Sequence, residues 1–88
     1  MIVITADVPC ANGLHGLPTG TLARVAFNCD SKLSLVYLGK RVCFRDIIEL
    51  MALRIPRGHA VAVEIEGHDE KAVAMEISRL FAEVLPNQ

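Results

Sequence analysis

Four short stretches in which apolar and polar residues alternate, separated by three stretches with helical spacing, constrain the fold of this 88-residue chain most. The alternation predicts strands at Ile2–Val8, Ser31–Leu38, Arg41–Phe44 and Ala60–Glu66. Helical spacing predicts helices at Gly16–Phe27 and Ile47–Leu53, and a last helix capped by Asp69 that ends before a frayed Pro86-Asn87-Gln88. The order β-α-β-β-α-β-α favours an α+β two-layer sandwich. In it, a mainly antiparallel four-stranded sheet carries three helices on one face.

Composition narrows the class of protein. With 52% hydrophobic residues and a formal net charge of -1, residues 1–88 fit one globular domain, and no basic excess points to nucleic acid. The apolar runs are too short for membrane insertion, and the start Met1-Ile2-Val3-Ile4 lacks signal-peptide features. Three cysteines without a CxxC pair fit free thiols, so we expect a cytoplasmic protein. The histidines and cysteines have no recognised metal-ligand spacing, so neither a metal nor a cofactor is expected.

The stretch Gly13-Leu14-His15-Gly16-Leu17-Pro18 carries the most information about function. Pro18 lacks an N–H and is tolerated only in the opening turn of a helix, which puts His15 at or next to the N-cap. The backbone N–H groups of Gly16 and Leu17 then have no partner within the helix, and such groups bind anions, phosphate above all. A neutral imidazole there can act as a phosphoryl acceptor. The alternative is that His15 is only a surface residue at a helix end.

The predicted second helix is apolar on every side. By spacing, Leu50 and Leu53 face the core, which leaves Ile47, Ile48 and Met51 more exposed. Exposed apolar residues beside a reactive group are typical of a docking surface, although they could also be a hydrophobic shell around a small core. Asp46-Ile47-Ile48-Glu49 matches an acidic capping box at the start of this helix.

These features together resemble the histidine-containing phosphocarrier protein (HPr) family of the bacterial sugar phosphotransferase system. The landmarks that match in order are Gly13-Leu14-His15 with Pro18, Tyr37-Leu38-Gly39-Lys40, Ile47–Leu53 and Gly67-His68-Asp69-Glu70. The resemblance implies an HPr-like open-faced sandwich and a carrier in a relay rather than a stand-alone enzyme. It also implies that His15 accepts a phosphoryl group from enzyme I through Nδ1 and passes it to a IIA component.

The resemblance further implies a docking surface made by the first two helices. Leu17, Ile47, Ile48 and Met51 form its apolar part and Arg24 its cationic rim. We expect the chain to work as a monomer.

Two positions depart from the family pattern. Leu17 stands where the family carries an arginine that helps hold the phosphate, and a leucine side chain cannot do this. Asp46 stands where many members have a regulatory serine, and it could supply part of the charge of a phosphorylated serine permanently. The alternative function is therefore a non-catalytic regulatory binding module with weak or no phosphotransfer.

Overall fold

The computed structural model describes all residues from Met1 to Gln88. Its sheet has four strands, which are β1 (Ile2–Asp7), β2 (Lys32–Tyr37), β3 (Lys40–Cys43) and β4 (Ala60–Glu66). Their order across the sheet is β1-β4-β2-β3, and all three neighbouring pairs are antiparallel. The predicted α+β architecture is confirmed, and the strand ends differ from the predicted ones by a residue or less.

Three helices cover one face of this sheet: α1 (Gly16–Phe27), α2 (Ile47–Ala52) and α3 (Glu70–Arg79). After α3 the chain continues through a π-helical turn at Leu80–Val84 and a 3-10 turn at Leu85–Asn87. The expectation of a frayed end was wrong, because Leu85 is fully buried and anchors this last turn in the core. None of the helices combines the length and the apolar content that a membrane span requires.

The hydrophobic core lies between the sheet and the helices, and it forms one cluster of 19 buried residues. β4 shows how the alternation produces it: Val61, Val63 and Ile65 are buried, while the side chains between them lie on the other face. Val73 and Ile77 of α3 are buried as the helical spacing predicts. The opposite face of the sheet has no helix on it, and Val3 there is 54% exposed.

The segment that leads into α1 is held by the segment that follows α2. The N–H of Leu14 donates to the carbonyl of Ile55 at 2.9 Å, and both side chains are buried. Gly13 has φ +73, and a Cβ at this position would lie 2.4 Å from the Ile55 oxygen. Only glycine fits this position without strain, because it has a positive φ and meets neighbouring backbone. The main chain just before His15 is therefore fixed to the loop after α2.

Candidate functional site

His15 occupies the N-cap position of α1 with extended backbone angles, φ -107 and ψ -165. Its carbonyl accepts the first helical bond, from Thr19 N–H at 3.1 Å, while its side chain makes no capping bond. The imidazole is half-buried, in contrast to the buried Leu14 before it. The ring is thus held at the start of α1 while keeping access to solvent.

Beside this ring, the first two helical N–H groups have no acceptor in the protein. Gly16 and Leu17 occupy the first two positions of α1, and neither main-chain N–H donates a hydrogen bond. Pro18 at the third position has no N–H at all. A Cβ added at Gly16 would meet nothing within 4 Å, so the space next to these donors is open. The arrangement can accept an anion of the size of a phosphoryl group.

The two nitrogens of the His15 ring are not equivalent. Nε2 lies 3.5 Å from the main-chain oxygen of Gln88. Such an oxygen only accepts hydrogen bonds, so this contact favours the tautomer that carries its hydrogen on Nε2 and leaves the Nδ1 lone pair free. Gln88 is itself held by its side-chain amide, which donates to the hydroxyl of Thr21 at 3.0 Å. Sequence reasoning missed this role of Gln88 because no local pattern predicts a contact between residues 73 positions apart.

A surface depression of about 490 Å³ opens beside His15. Met51 of α2 lines it, together with Arg54 from the segment after that helix. The complete lining is Asn12, Leu14, His15, Gly16, Met51, Arg54, Ile55 and Pro56. Arg54 was not among the residues singled out from the sequence, since its proximity to His15 depends on the contact between Gly13 and Ile55.

The apolar residues expected to be exposed on α1 and α2 are exposed. The exposed fraction is 60% for Leu17, 37% for Ile47, 76% for Ile48 and 40% for Met51. Leu50 is buried and Leu53 packs partly against the core. We call Leu17, Ile47, Ile48 and Met51 the apolar patch. Burying such a patch against a partner would remove apolar surface from water.

Arg24, the cation expected at the rim of this patch, lies about two turns along α1 from Leu17. It lines a separate groove between α1 and α3, where Asp69 and Glu76 also lie. Arg24 therefore does not share the depression of His15, and its role in docking stays a prediction.

Asp46 caps α2 as the sequence predicts, because its carboxylate accepts a bond from Glu49 N–H at 3.3 Å. The reciprocal half of the capping box is missing. The N–H of Asp46 donates instead to the carbonyl of Cys43 at 3.0 Å. Asp46 is exposed and lies at the edge of the apolar patch, next to Ile47.

Asp69 is the N-cap residue of α3, as the sequence predicts, but its side chain makes no capping hydrogen bond. Its carboxylate instead accepts bonds from the hydroxyl of Ser31 and from the N–H of Asp30. These bonds, that of Ser31 above all, lower the pKa of Asp69. The carboxylate thus links α3 to the turn between α1 and β2. Gly67, just before α3, also lies so close to Ser31 that a side chain at this position would clash with it.

The three cysteines lie apart from other side chains that commonly bind metals. All three are free, and Cys10 is fully buried. Burial raises the pKa of the Cys10 thiol, which disfavours the reactive thiolate. No three His, Cys, Asp or Glu side chains come together in a group that could hold a metal ion.

The chain is similar to several known proteins. The family model described as the phosphorylation site of the PTS HPr component matches residues 2–83. The phosphocarrier protein HPr of Treponema pallidum is 35% identical over 81 residues, which cover 92% of each chain. The structure of HPr-C-His from Thermoanaerobacter tengcongensis is 24% identical and has a TM-score of 0.89, covering 100% of this chain and 98% of that chain. Crh, the Bacillus subtilis catabolite repression protein, is 25% identical with a TM-score of 0.72, covering 94% and 95% respectively.

The fold and the match to the model of the HPr phosphorylation site place this chain in the class of small phosphocarrier proteins. The match over residues 2–83 and the relative at 35% identity show that this chain belongs to the HPr family. It is a phosphocarrier of the phosphotransferase system.

Proposed function

We propose that Nδ1 of His15 is the atom that accepts the phosphoryl group. The observation that carries this proposal is the ring itself, whose Nε2 faces the Gln88 oxygen while Nδ1 has no partner. The Nδ1 lone pair attacks phosphorus and forms the new P–N bond. The bond from phosphorus to the donor atom breaks, and its electron pair stays with the donor. Transfer onward reverses these steps, with Nδ1 as the leaving atom.

The N–H groups of Gly16 and Leu17 are proposed to hold the phosphoryl oxygens. They lie at the N-terminus of α1, which is the positive end of the helix dipole. This dipole stabilises the dianionic phosphoryl group when His15 carries it. They require no rearrangement, because neither N–H has a partner to give up. The Leu17 side chain contributes nothing to this binding, since it has no donor.

The partners proposed for the relay are enzyme I as donor and a IIA component as acceptor, with the cytoplasm as the compartment. Both would dock on the apolar patch next to His15, with Arg24 as a more distant charged contact. Ile48→Glu should then raise the KM of enzyme I for this protein about tenfold or more, because it places a charge in a buried contact. Met75→Glu is the matched control, since Met75 is 75% exposed on α3, outside the patch.

The central experiment incubates the pure protein with enzyme I, phosphoenolpyruvate and magnesium. We expect an acid-labile phosphoryl adduct on the parent protein and none on His15→Ala. An adduct of equal yield on His15→Ala would place the acceptor elsewhere.

Leu17→Arg should accelerate transfer, since a guanidinium at the second helical position could reach the phosphoryl oxygens. A rate no higher than that of the parent would contradict this account of residue 17.

A second candidate function is a regulatory binding module that docks without efficient transfer. Leu17 favours it, because its side chain cannot bind phosphate. The similar structure of Crh, which is described as a catabolite repression protein, is consistent with a regulatory role. The absence of any adduct at high enzyme I would support this alternative. Independently of this alternative, we propose that Asp46 is a permanent partial substitute for a phosphorylated serine, so Asp46→Ser should change the rate of His15 phosphorylation by enzyme I by a clear factor. Equal rates would remove that role.

We propose a monomer as the working state. The Crh structure is described as a swapped dimer. Sedimentation of this chain at micromolar concentration would distinguish the two states.

A further inference from the structure

We propose that Arg54 binds phosphate at the His15 site, its guanidinium donating hydrogen bonds to oxygens of the phosphoryl group that His15 carries. This inference rests on the proposed role of His15, and it adds a cation to a site whose first helical turn offers only main-chain donors. The residue lies outside the motif around His15 and reaches the site through the fold alone.

The fold brings Arg54 and His15 to one depression. Each lies next to one end of the 2.9 Å hydrogen bond from Leu14 N–H to the Ile55 carbonyl. Gly13 makes this approach possible, because a Cβ there would strike Ile55 and Pro56. Both Arg54 and His15 line the resulting depression. A phosphoryl group attached to the His15 ring would therefore share this space with the Arg54 side chain.

Nothing in the contacts or the backbone of Arg54 shows that its side chain stabilises the fold. Its guanidinium makes no hydrogen bond and no ion pair within the protein, and the side chain is exposed. Its backbone has φ +48, the left-handed region that bulky residues rarely occupy. Arg54 is the residue after the C-cap of α2, where glycine is the usual choice. A strained residue without a partner, next to a reactive group, points to a function for its side chain.

Electrostatics favour Arg54 over the other candidate cation. Arg24 lines a different groove, together with the carboxylates of Asp69 and Glu76, and lies about two turns along α1 from Leu17. The depression of His15 contains no carboxylate, and Arg54 is its one arginine or lysine. A phosphoryl dianion there would meet an uncompensated positive charge. The planar guanidinium matches two phosphoryl oxygens at once.

A first experiment measures anion binding without any transfer reaction. Inorganic phosphate is titrated into the parent protein, Arg54→Gln and Arg57→Gln, and the imidazole resonances of His15 are followed by NMR. Arg57 is the matched control, because it is exposed in the same segment but does not line the depression. We expect saturable shifts in the parent and in Arg57→Gln. In Arg54→Gln the dissociation constant should rise about three- to tenfold. Equal constants in all three proteins, or no saturable shift in the parent, would overturn the inference.

A second experiment measures the single-turnover rate of His15 phosphorylation by enzyme I. Arg54→Gln should slow it about tenfold, while Arg57→Gln should leave it unchanged. Arg54→Lys should be intermediate, because it keeps the charge and loses the planar fork. Parent rates in Arg54→Gln would overturn the inference. An adduct missing from the parent, with phosphate binding still dependent on Arg54, would contradict the proposed function and leave the binding role of Arg54 standing.

Discussion

The N-termini of α1 and α2 lie on the same side of the sheet and are built in opposite ways. At α2, the carboxylate of Asp46 accepts a bond from Glu49 N–H, so the start of the helix is closed by its own side chain. At α1, His15 makes no capping bond, and the N–H groups of Gly16 and Leu17 stay without partners. The closed start stabilises the fold, and the open start keeps donors available for a ligand.

The difference follows from one residue in each helix. The donor most used by a capping side chain is the N–H at the second or third helical position. In α2 the third position is Glu49, which supplies that N–H. In α1 the third position is Pro18, which has none. Pro18 therefore removes the bond through which a side chain at residue 15 could best close the helix, and the imidazole stays available for chemistry.

An open helix start has to be held by something other than a cap. Here the support comes from the loop after α2, through the hydrogen bond between Leu14 and Ile55 and the close contact of Gly13. The two helices thus cooperate: the end of α2 positions the beginning of α1. The largest expected effects on stability are accordingly at Gly13 rather than at His15.

Gly13→Ala should break this support. It combines a positive φ with a Cβ 2.4 Å from the Ile55 oxygen, so the free energy of unfolding should fall by about 2 kcal/mol or more. Gly39→Ala is the control, because Gly39 has φ +80 with nothing within 4 Å, and strain alone should cost about 1 kcal/mol. Urea unfolding measures both. Equal losses would mean that the contact with Ile55 contributes nothing.

Asp46→Ala should open the start of α2. The loss of the bond to Glu49 N–H should lower the free energy of unfolding by about 1 kcal/mol, the usual value for a capping residue. Asp46→Asn keeps an accepting oxygen and should lose less than half as much. Thermal unfolding of the three proteins checks the order. A parent-like stability of Asp46→Ala would show that the closed start of α2 is not a source of stability.

How far the sequence predicts the molecule differs between these two helix starts. The cap of α2 is local, since Asp46 and Glu49 are three residues apart, and the prediction from the sequence is confirmed. The position of His15 at the start of α1 is local too, because Pro18 marks the first turn. The four strands and their faces follow from short periodic patterns, which explains why the sheet agrees with expectation.

The contacts that complete the site are long-range and could not be predicted in this way. Gln88 contacts His15, 73 positions away, because the buried Leu85 anchors the last turn. The polar residues after Leu85 instead predict a frayed end, since nothing local in the sequence indicates this contact. Arg54 comes to the depression only through the fit of Gly13 against Ile55. The position of Asp69 just before α3 predicts a cap for that helix, whereas its carboxylate accepts a hydrogen bond from Ser31, 38 positions away.

His15→Asp should close the start of α1 in part. A carboxylate at the positive end of the helix gains from the dipole and from Leu17 N–H, so the free energy of unfolding should rise by about 0.5 kcal/mol. The gain should shrink in 1 M salt, where charges are screened within a few ångströms. Unfolding in urea at low and high salt measures it. A loss of stability at low salt would mean that the N–H groups of Gly16 and Leu17 do not attract a negative charge.

Asp69→Asn addresses the third helix start, where the side chain at the N-cap position bonds to a neighbouring turn instead of its own helix. Hydrogen bonds from Ser31 and Asp30 hold the pKa of Asp69 below its ordinary value of 3.8. A carboxyl group with a lowered folded-state pKa contributes stability above the unfolded value, and that contribution is lost as pH falls through the folded value. The parent should therefore be more stable than Asp69→Asn at pH 6, and the gap should close on acidification below pH 3.8. The other carboxyl groups are present in both proteins and cancel in the difference between their unfolding midpoints. A gap that stays constant down to pH 2 would mean that the ionised form of Asp69 does not link α3 to Ser31.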